Sequence, residues 1–320
     1  MKKLLGAALA AMIATGAAAQ EDYPNRAITI LVPFAPGGVV DLASRTIGEG
    51  LSRRLGQEVI VENRAGGSGF IAASAAAQAE PDGYTLFMGE AGTLTINPSL
   101  FEETPYDAEA DFTTVSTITD TPLILVANKN ASFKTFEEFL EAARAEPGAI
   151  TYSSAGIGTL NHLAPEWMSL EGDIQIQHIP YKGGRPAATA VASGEVDVSV
   201  VSYSSTKPFI DSGDVIVLAT TSAKRIDPSP ETPTMQEGGV PNVDTSQWTG
   251  LMAPAGTPDA VLDKLNATIA EILAEPDVAK TLTDAGAAPY PSSREDFDAM
   301  LDRLRGQFKT IIETAGITAQ

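Results

Sequence analysis

Cysteine is absent from this 320-residue chain. That excludes a disulfide framework, a thiolate metal site and a thiol nucleophile. Histidine is nearly absent, with His162 and His178 the whole complement. No HExxH pair and no cluster of metal ligands accompanies them. The GxSxG elbow of a serine hydrolase is missing, as are the GxxxxGK[ST] and GxGxxG phosphate loops. Basic residues are scarce: 21 Lys and Arg stand against 41 Asp and Glu, a formal charge of −20. This argues against nucleic acid and anionic membrane surfaces as partners. It does not exclude a small anion, because screening acts over ~8 Å at physiological salt and local donors outweigh distant charge.

Apolar residues make up 43% of the chain and are spread along it, enough to build real cores. The first twenty residues, "MKKLLGAALAAMIATGAAAQ", place two lysines before an apolar run that ends in three alanines. This is the layout of an export signal, with cleavage expected after Ala19; a membrane anchor is the alternative. Loss of Lys2 and Lys3 would make the charge −22. Length suggests two domains. With no cysteine, their stability must come from the cores.

The remainder alternates short apolar runs with helical spacing. "AITILVPF" (27–34), "EVIVEN" (58–63) and "YTLFMG" (84–89) read as strands, with helices over 41–55 and 70–79 between them. The pattern restarts with a strand at "PLILVAN" (122–128). A helix over 135–148 follows, with Thr135 as N-cap and Glu138 three positions on. Strands at 149–154, 174–181, 196–203 and 215–222 alternate with helices over 163–172 and 185–195. A proline-rich loop spans 225–242, and three helices close the chain over 258–274, 276–286 and 294–315. This order predicts an α/β fold of two similar units with a cleft between them. Ligands in such folds sit at the carboxyl ends of strands, beside helix N-termini.

Two glycine-rich turns fall at those points. In "FAPGGVVD", Phe34, Ala35, Pro36, Gly37, Gly38, Val39, Val40 and Asp41 join a strand to a helix. Glycines let successive amides face one point, and the first helical N–H groups lack partners, so the turn can hold an anion. Without a lysine it suits a carboxylate better than a triphosphate. A plain tight turn with Asp41 as N-cap is the competing reading. The second turn, "SSAGIGTLNH", offers Ser154, Ala155, Gly156, Ile157, Gly158 and Thr159, then Asn161 and His162. His162 is either a donor or a packed capping residue, and Thr159 either an N-cap or a contact. Asn63 to Gly69 resembles a third nest but is better placed to start the alanine-rich helix. Trp248 is equally a hinge-packing residue or a cleft wall.

The ordered set "YPNRAITILVPFAPGG", "LGQEVIVENRAGGSG", "PDGYTLFMG", "INPSLF", "PYDAEADF", "YSSAGIGT", "PYKGG", "TSAKR" and "GLMAPAGTP" covers most of the chain. It resembles the substrate-binding receptors of tripartite tricarboxylate transporters, the Bug family. The resemblance implies a periplasmic two-lobed binding protein of the type II, Venus flytrap kind, each lobe a mainly parallel sheet flanked by helices. Residues 20–121 plus 248–320 would form one lobe and 122–247 the other. It implies a monomer without cofactor or metal that closes on a small organic carboxylate and delivers it to membrane permease subunits. Backbone amides of both loops would hold one carboxylate. Val40, Ile157 and Glu90 depart from the family's usual residues. Val39, Val40 and Ile157 could form an apolar wall, whereas Glu90 and Asp41 would favour an amine or hydroxyl near the carboxylate. Tyr203, Ser204 and Ser205, read as a strand end, are further contacts, and Lys182 and Arg185 either face the cleft or are solvated. The other readings are a ligand-sensing partner of a signalling system and an exported hydrolase.

Overall fold

The computed structural model describes residues 23–181, 183–226 and 229–319. The expected export signal and Lys182 lie outside them. In chain order the elements are β1 (Ile28–Val32), α1 (Val39–Leu55), β2 (Val59–Asn63), α2 (Phe70–Ala77), β3 (Thr85–Glu90), α3 (Asn97–Leu100) and β4 (Phe112–Asn128). Next come α4 (Phe136–Ala145), β5 (Thr151–Ser154), α5 (Leu160–Gly172), β6 (Gln177–Pro180), α6 (Gly184–Ser193), β7 (Val198–Ser202), α7 (Tyr203–Asp211) and β8 (Val215–Thr220). The chain ends with β9 (Ser246–Pro254), α8 (Asp259–Leu273), α9 (Pro276–Asp284), β10 (Ala288–Pro289) and α10 (Arg294–Ala315).

The strands run in the order β2-β1-β3-β9-β4-β7-β5-β6. β1, β2 and β3 are parallel, as are β5, β6 and β7. β4 joins the two sets. Its first part, to Pro122, pairs antiparallel with β9, and its second part, from Leu123, pairs antiparallel with β7 and β8. One 17-residue strand therefore carries the chain from one half of the sheet to the other, and β9 carries it back. Only 122–128 read as strand in the sequence. The preceding "FTTVSTITDT" lacks an apolar run, but its Thr, Val and Ile are β-branched and fit a pleated surface.

Helices cover both faces. Ile28, Ile30, Val32, Leu86 and Met88 point to the face where α1 and α8 lie, and Gly50 of α1 packs directly on Ile272. α8 thus packs on the first half, whereas α10 packs on β4 and on α5 of the second half. In the second half α6 packs over Ile124, Val126 and Val201. The α4 capping box is present: Glu138 N–H donates to Thr135 Oγ1 (3.2 Å), and the Glu138 carboxylate accepts from the Thr135 N–H (3.3 Å). α7 was not legible. Residues 203–205, expected to end a strand, begin this helix instead, with Ser202 as N-cap accepting from the Ser205 N–H. Pro208 inside it and the apolar run before it masked the helical spacing.

Candidate functional site

β1 and β3 end side by side. Leu31 lies opposite Phe87, so the turns beyond Val32 and Glu90 leave neighbouring strands ~4.8 Å apart. In the first turn Gly37 has φ +94°, a conformation strained for any residue with a Cβ. Gly38 is the N-cap of α1 with an ordinary φ of −86°, and a Cβ there would meet no atom within 4 Å. The first helical bond runs from the Leu42 N–H to Gly38 O (3.0 Å). Helical geometry therefore gives the amides of Val39, Val40 and Asp41 no intrahelical acceptor. Ala35, Pro36, Gly37 and Gly38 are exposed, and Phe34 and Val39 are half-buried. The Val40 side chain packs in the core and so does not form the expected wall; the helix starts two residues before Asp41, which turns Val40 inward.

Asp41 is not the N-cap but the third residue of α1, and it is 4% exposed. One carboxylate oxygen accepts from the Gly37 N–H (2.9 Å) and from Arg45 Nε (3.2 Å). The other accepts from Asn63 Nδ2 (2.9 Å) and faces Arg45 Nη2 at 2.9 Å. Burial pushes this carboxyl up, but the bonds from Arg45, Gly37 and Asn63 outweigh it and hold it below the ordinary range. Asn63 Nδ2 also donates to Phe34 O (3.0 Å). Asp41 and Asn63 thus brace the loop, and the Asp41 oxygens are engaged within the chain rather than held open for a ligand amine.

Glu90 ends β3 and is 6% exposed. Its carboxylate accepts from the Gly92 N–H (2.7 Å) and the Thr93 N–H (2.8 Å). Burial raises its affinity for a proton, against the pull of those two amides. Thr93 packs where a Cβ on Gly69 would lie, which places the turn after β2 beside this one. Asn97 reaches across the same junction, donating through Nδ2 to Ser68 O (2.9 Å).

In the second half Ser154 ends β5, and its Oγ accepts from the Gly156 N–H (3.1 Å) and is hydrogen-bonded to His178 Nε2 (2.6 Å). Thr159 occupies the N-cap position of α5, but its hydroxyl donates to Gly156 O (2.6 Å) and caps no helical amide. Ala155, Gly156, Ile157 and Thr159 are half-buried and Gly158 is buried. Asn161 anchors the helix start to β7 by donating from Nδ2 to Val200 O (2.8 Å). His162 Nδ1 accepts from the Gly158 N–H (3.5 Å). The two histidines stack at 4.1 Å, and His178 stacks on Tyr152 at 4.8 Å. Burial lowers both to about 4, His178 further through the charge of its neighbour. His178 therefore supports the loop itself.

The third glycine pair docks on the second loop: the Gly183 N–H donates to Ala155 O (3.0 Å). Tyr203 and Ser204 lie at the start of α7, where a Cβ on Gly286 would meet Ser204 at 3.0 Å. Gly158, with φ +78°, lies against α3. A Cβ there would come within 2.9 Å of Leu100 and 3.3 Å of Asn97 Oδ1. The two glycine loops thus belong to opposite halves, and the second touches the segment that follows the turn after β3. Trp248 is buried edge-on to Phe297 (5.6 Å), a packing residue. Arg185 is exposed in the first turn of α6. Two surface hollows of about 530 and 460 Å³ lie elsewhere, around Thr104 to Ala108 and around Ile174 to Gln177. Among the described residues no group of three His, Asp or Glu side chains could hold a metal, and no helix is long and apolar enough to cross a membrane. Asn63, Asn97 and His178 hydrogen-bond to these turns and were not among the expected site residues. Asn63 stood at the start of the third nest, and Asn97 precedes a proline, but neither pattern names the partner.

Parallel strands feeding helix N-termini in two halves, with the chain crossing twice between them, define a two-lobed periplasmic-binding-protein fold. The chain belongs to the tripartite tricarboxylate transporter family of receptors, whose family model matches residues 43–317. BugT of Bordetella pertussis is 34% identical over 270 residues, 84% of this chain and 83% of that protein. The structure of R. palustris Rpa4515 with adipate superposes with a TM-score of 0.85 at 33% identity, over 93% of this chain and 99% of that one. MatC of Rhodopseudomonas palustris with bound malate gives 0.81 at 30% identity, over 91% and 100%.

Proposed function

We propose that this protein is an exported receptor that captures a small organic carboxylate between two lobes and passes it, unconverted, to the permease subunits of a tripartite tricarboxylate-type transporter. The lobes are residues 20–121 with 248–320, and residues 122–247. The observation that supports the reading is the presence of one such glycine loop in each half. Each begins at the C-terminal end of a parallel strand and ends at a helix N-terminus. Phe34 to Asp41 lines one side and Ser154 to Thr159 the other, with Tyr203 and Ser204 near the second. The adipate and malate of the two similar structures are carboxylates, which supports the same class here.

The energetics are compatible. Burying a carboxylate costs several kcal/mol of hydration. Each hydrogen bond to a charged group returns ~1.5–3 kcal/mol. Four to six amides from two loops would leave ~8 kcal/mol, a micromolar Kd. Backbone donors need no net positive charge, so an acidic protein can hold an anion. A thermal-shift panel of carboxylates tests the proposal. At least one must raise the melting temperature through binding to the folded state alone, and it must be recovered unchanged. No shift with any carboxylate, or appearance of product, refutes it.

A further inference from the structure

We infer that Glu90 makes this receptor select acids with a single carboxylate, and reject dicarboxylates, by filling with its own side chain an amide pair that a second ligand carboxylate would need. The inference rests on the carboxylate-receptor reading above. Glu90 stands at the end of β3, beside the loop that leaves β1. Its two oxygens take the Gly92 and Thr93 amides at 2.7 and 2.8 Å. Those are the donors that a strand-to-helix turn would otherwise offer to an anion. A Cβ on Gly92 would sit 2.9 Å from one Glu90 oxygen and 3.1 Å from the other, so the glycine leaves room for the side chain to fold back. The Thr93 hydroxyl closes the turn against the Glu90 backbone.

No ion pair among the described residues involves Glu90. Its charge is met by the Gly92 and Thr93 amides and by the Thr93 side chain, and Tyr106, whose hydroxyl donates to Thr93 O, feels that charge. The neighbouring polar group is also an acceptor. Asn97 is 1% exposed, its Nδ2 is committed to Ser68 O, and its Oδ1 has no hydrogen-bond partner while lying toward Gly158 of the second loop. A second carboxylate here would meet two acceptors, the Glu90 carboxylate and Asn97 Oδ1, with the Gly92 and Thr93 amides already taken. A ligand hydroxyl or ammonium would find an unpaired oxygen. The ligand class is therefore a carboxylic acid whose far end is apolar or carries a hydroxyl or amine.

Calorimetric titration of the mature protein with acids of matched chain length tests this. Each set has one member with a methyl end, one with a hydroxyl or amine end and one with a second carboxylate. The tightest single-carboxylate member is expected to bind at least ~100-fold more tightly than its dicarboxylate partner, the scale of like charges meeting at low effective dielectric. In Glu90→Ser the ratio falls at least ~10-fold as the two amides become free; in the isosteric Glu90→Gln, which loses charge but still fills the turn, it falls less. Equal affinities in the wild type overturn the inference and leave the receptor reading standing. An unchanged ratio in a folded Glu90→Ser protein overturns the role of Glu90. Should either variant fail to fold, the wild-type ratio alone decides. Absence of binding by every acid overturns both the inference and the reading beneath it.

Discussion

Replacing Gly38 with Asp separates the grip on the ligand from the stability of the fold. Gly38 has φ −86° and ψ 173°, open to any residue, and its Cβ position is empty to 4 Å. Aspartate is also a favoured N-cap and places negative charge at the positive end of α1. The substitution should change unfolding free energy by no more than ~1 kcal/mol, with Asp41 the main opposing charge. Binding should respond very differently. A carboxylate at residue 38 competes for the amides that would hold the ligand and opposes it at close range. Two like charges 4 Å apart cost ~4 kcal/mol at an effective dielectric of 20, which is ~10³-fold in Kd. Gly38→Asn is the control, with similar size and capping but no charge, and should lose far less. Calorimetry with a carboxylate that stabilises the wild type reads affinity, and urea unfolding reads stability. Affinity of Gly38→Asp within about tenfold of wild type would refute the placement of the anion at this loop.

Asp41→Ala removes the acceptor for Gly37, Arg45 and Asn63. It should cost ~2–4 kcal/mol in urea unfolding and weaken binding together, since the loop loses its brace. Gly158→Ala meets both a positive φ and Leu100 at 2.9 Å, so it should lower affinity by more than tenfold; unchanged affinity would show that the two halves need not approach there. His162 is held at about 4, below the ordinary histidine value of 6.5, so the unfolded chain protonates first. Its contribution is complete above pH 6.5 and is lost as pH falls toward 4, by up to ~3 kcal/mol. Glu90 acts in the opposite sense, since its raised carboxyl favours the fold below the ordinary range and loses that contribution as pH rises. Unfolding measured between pH 7 and 4.5 should therefore fall more steeply for the wild type than for His162→Gln, and parallel curves would contradict the stacked-pair account.

The parallel units and the terminal helices were legible because apolar runs, caps and glycine stops coincide there, as at Thr135 and Glu138. β4 was half-read because its threonines pair across strands without looking apolar. The first turn of α7 was misread as strand because Val198 to Ser202 runs straight into it without a break. Both glycine loops were visible, since a strand followed by glycines and a helical period is a local pattern. What braces them was not. Asp41 pairs with Asn63 across 22 positions, and Ser154 with His178 across 24. Such partners are set by strand register, which local spacing does not encode. Val40 shows the same limit: a helix starting two residues early turned an expected wall into core.

Binding of one carboxylate by both loops is the central claim, and amide NMR of protein labelled with 15N-glycine tests it most directly. Titration with a carboxylate that raises the melting temperature should shift Gly37, Gly38, Gly156 and Gly158 together, with one shared Kd, while Gly148, Gly213 and Gly306 on other surfaces stay still. Shifts confined to one loop, or loops titrating with different constants, would contradict it.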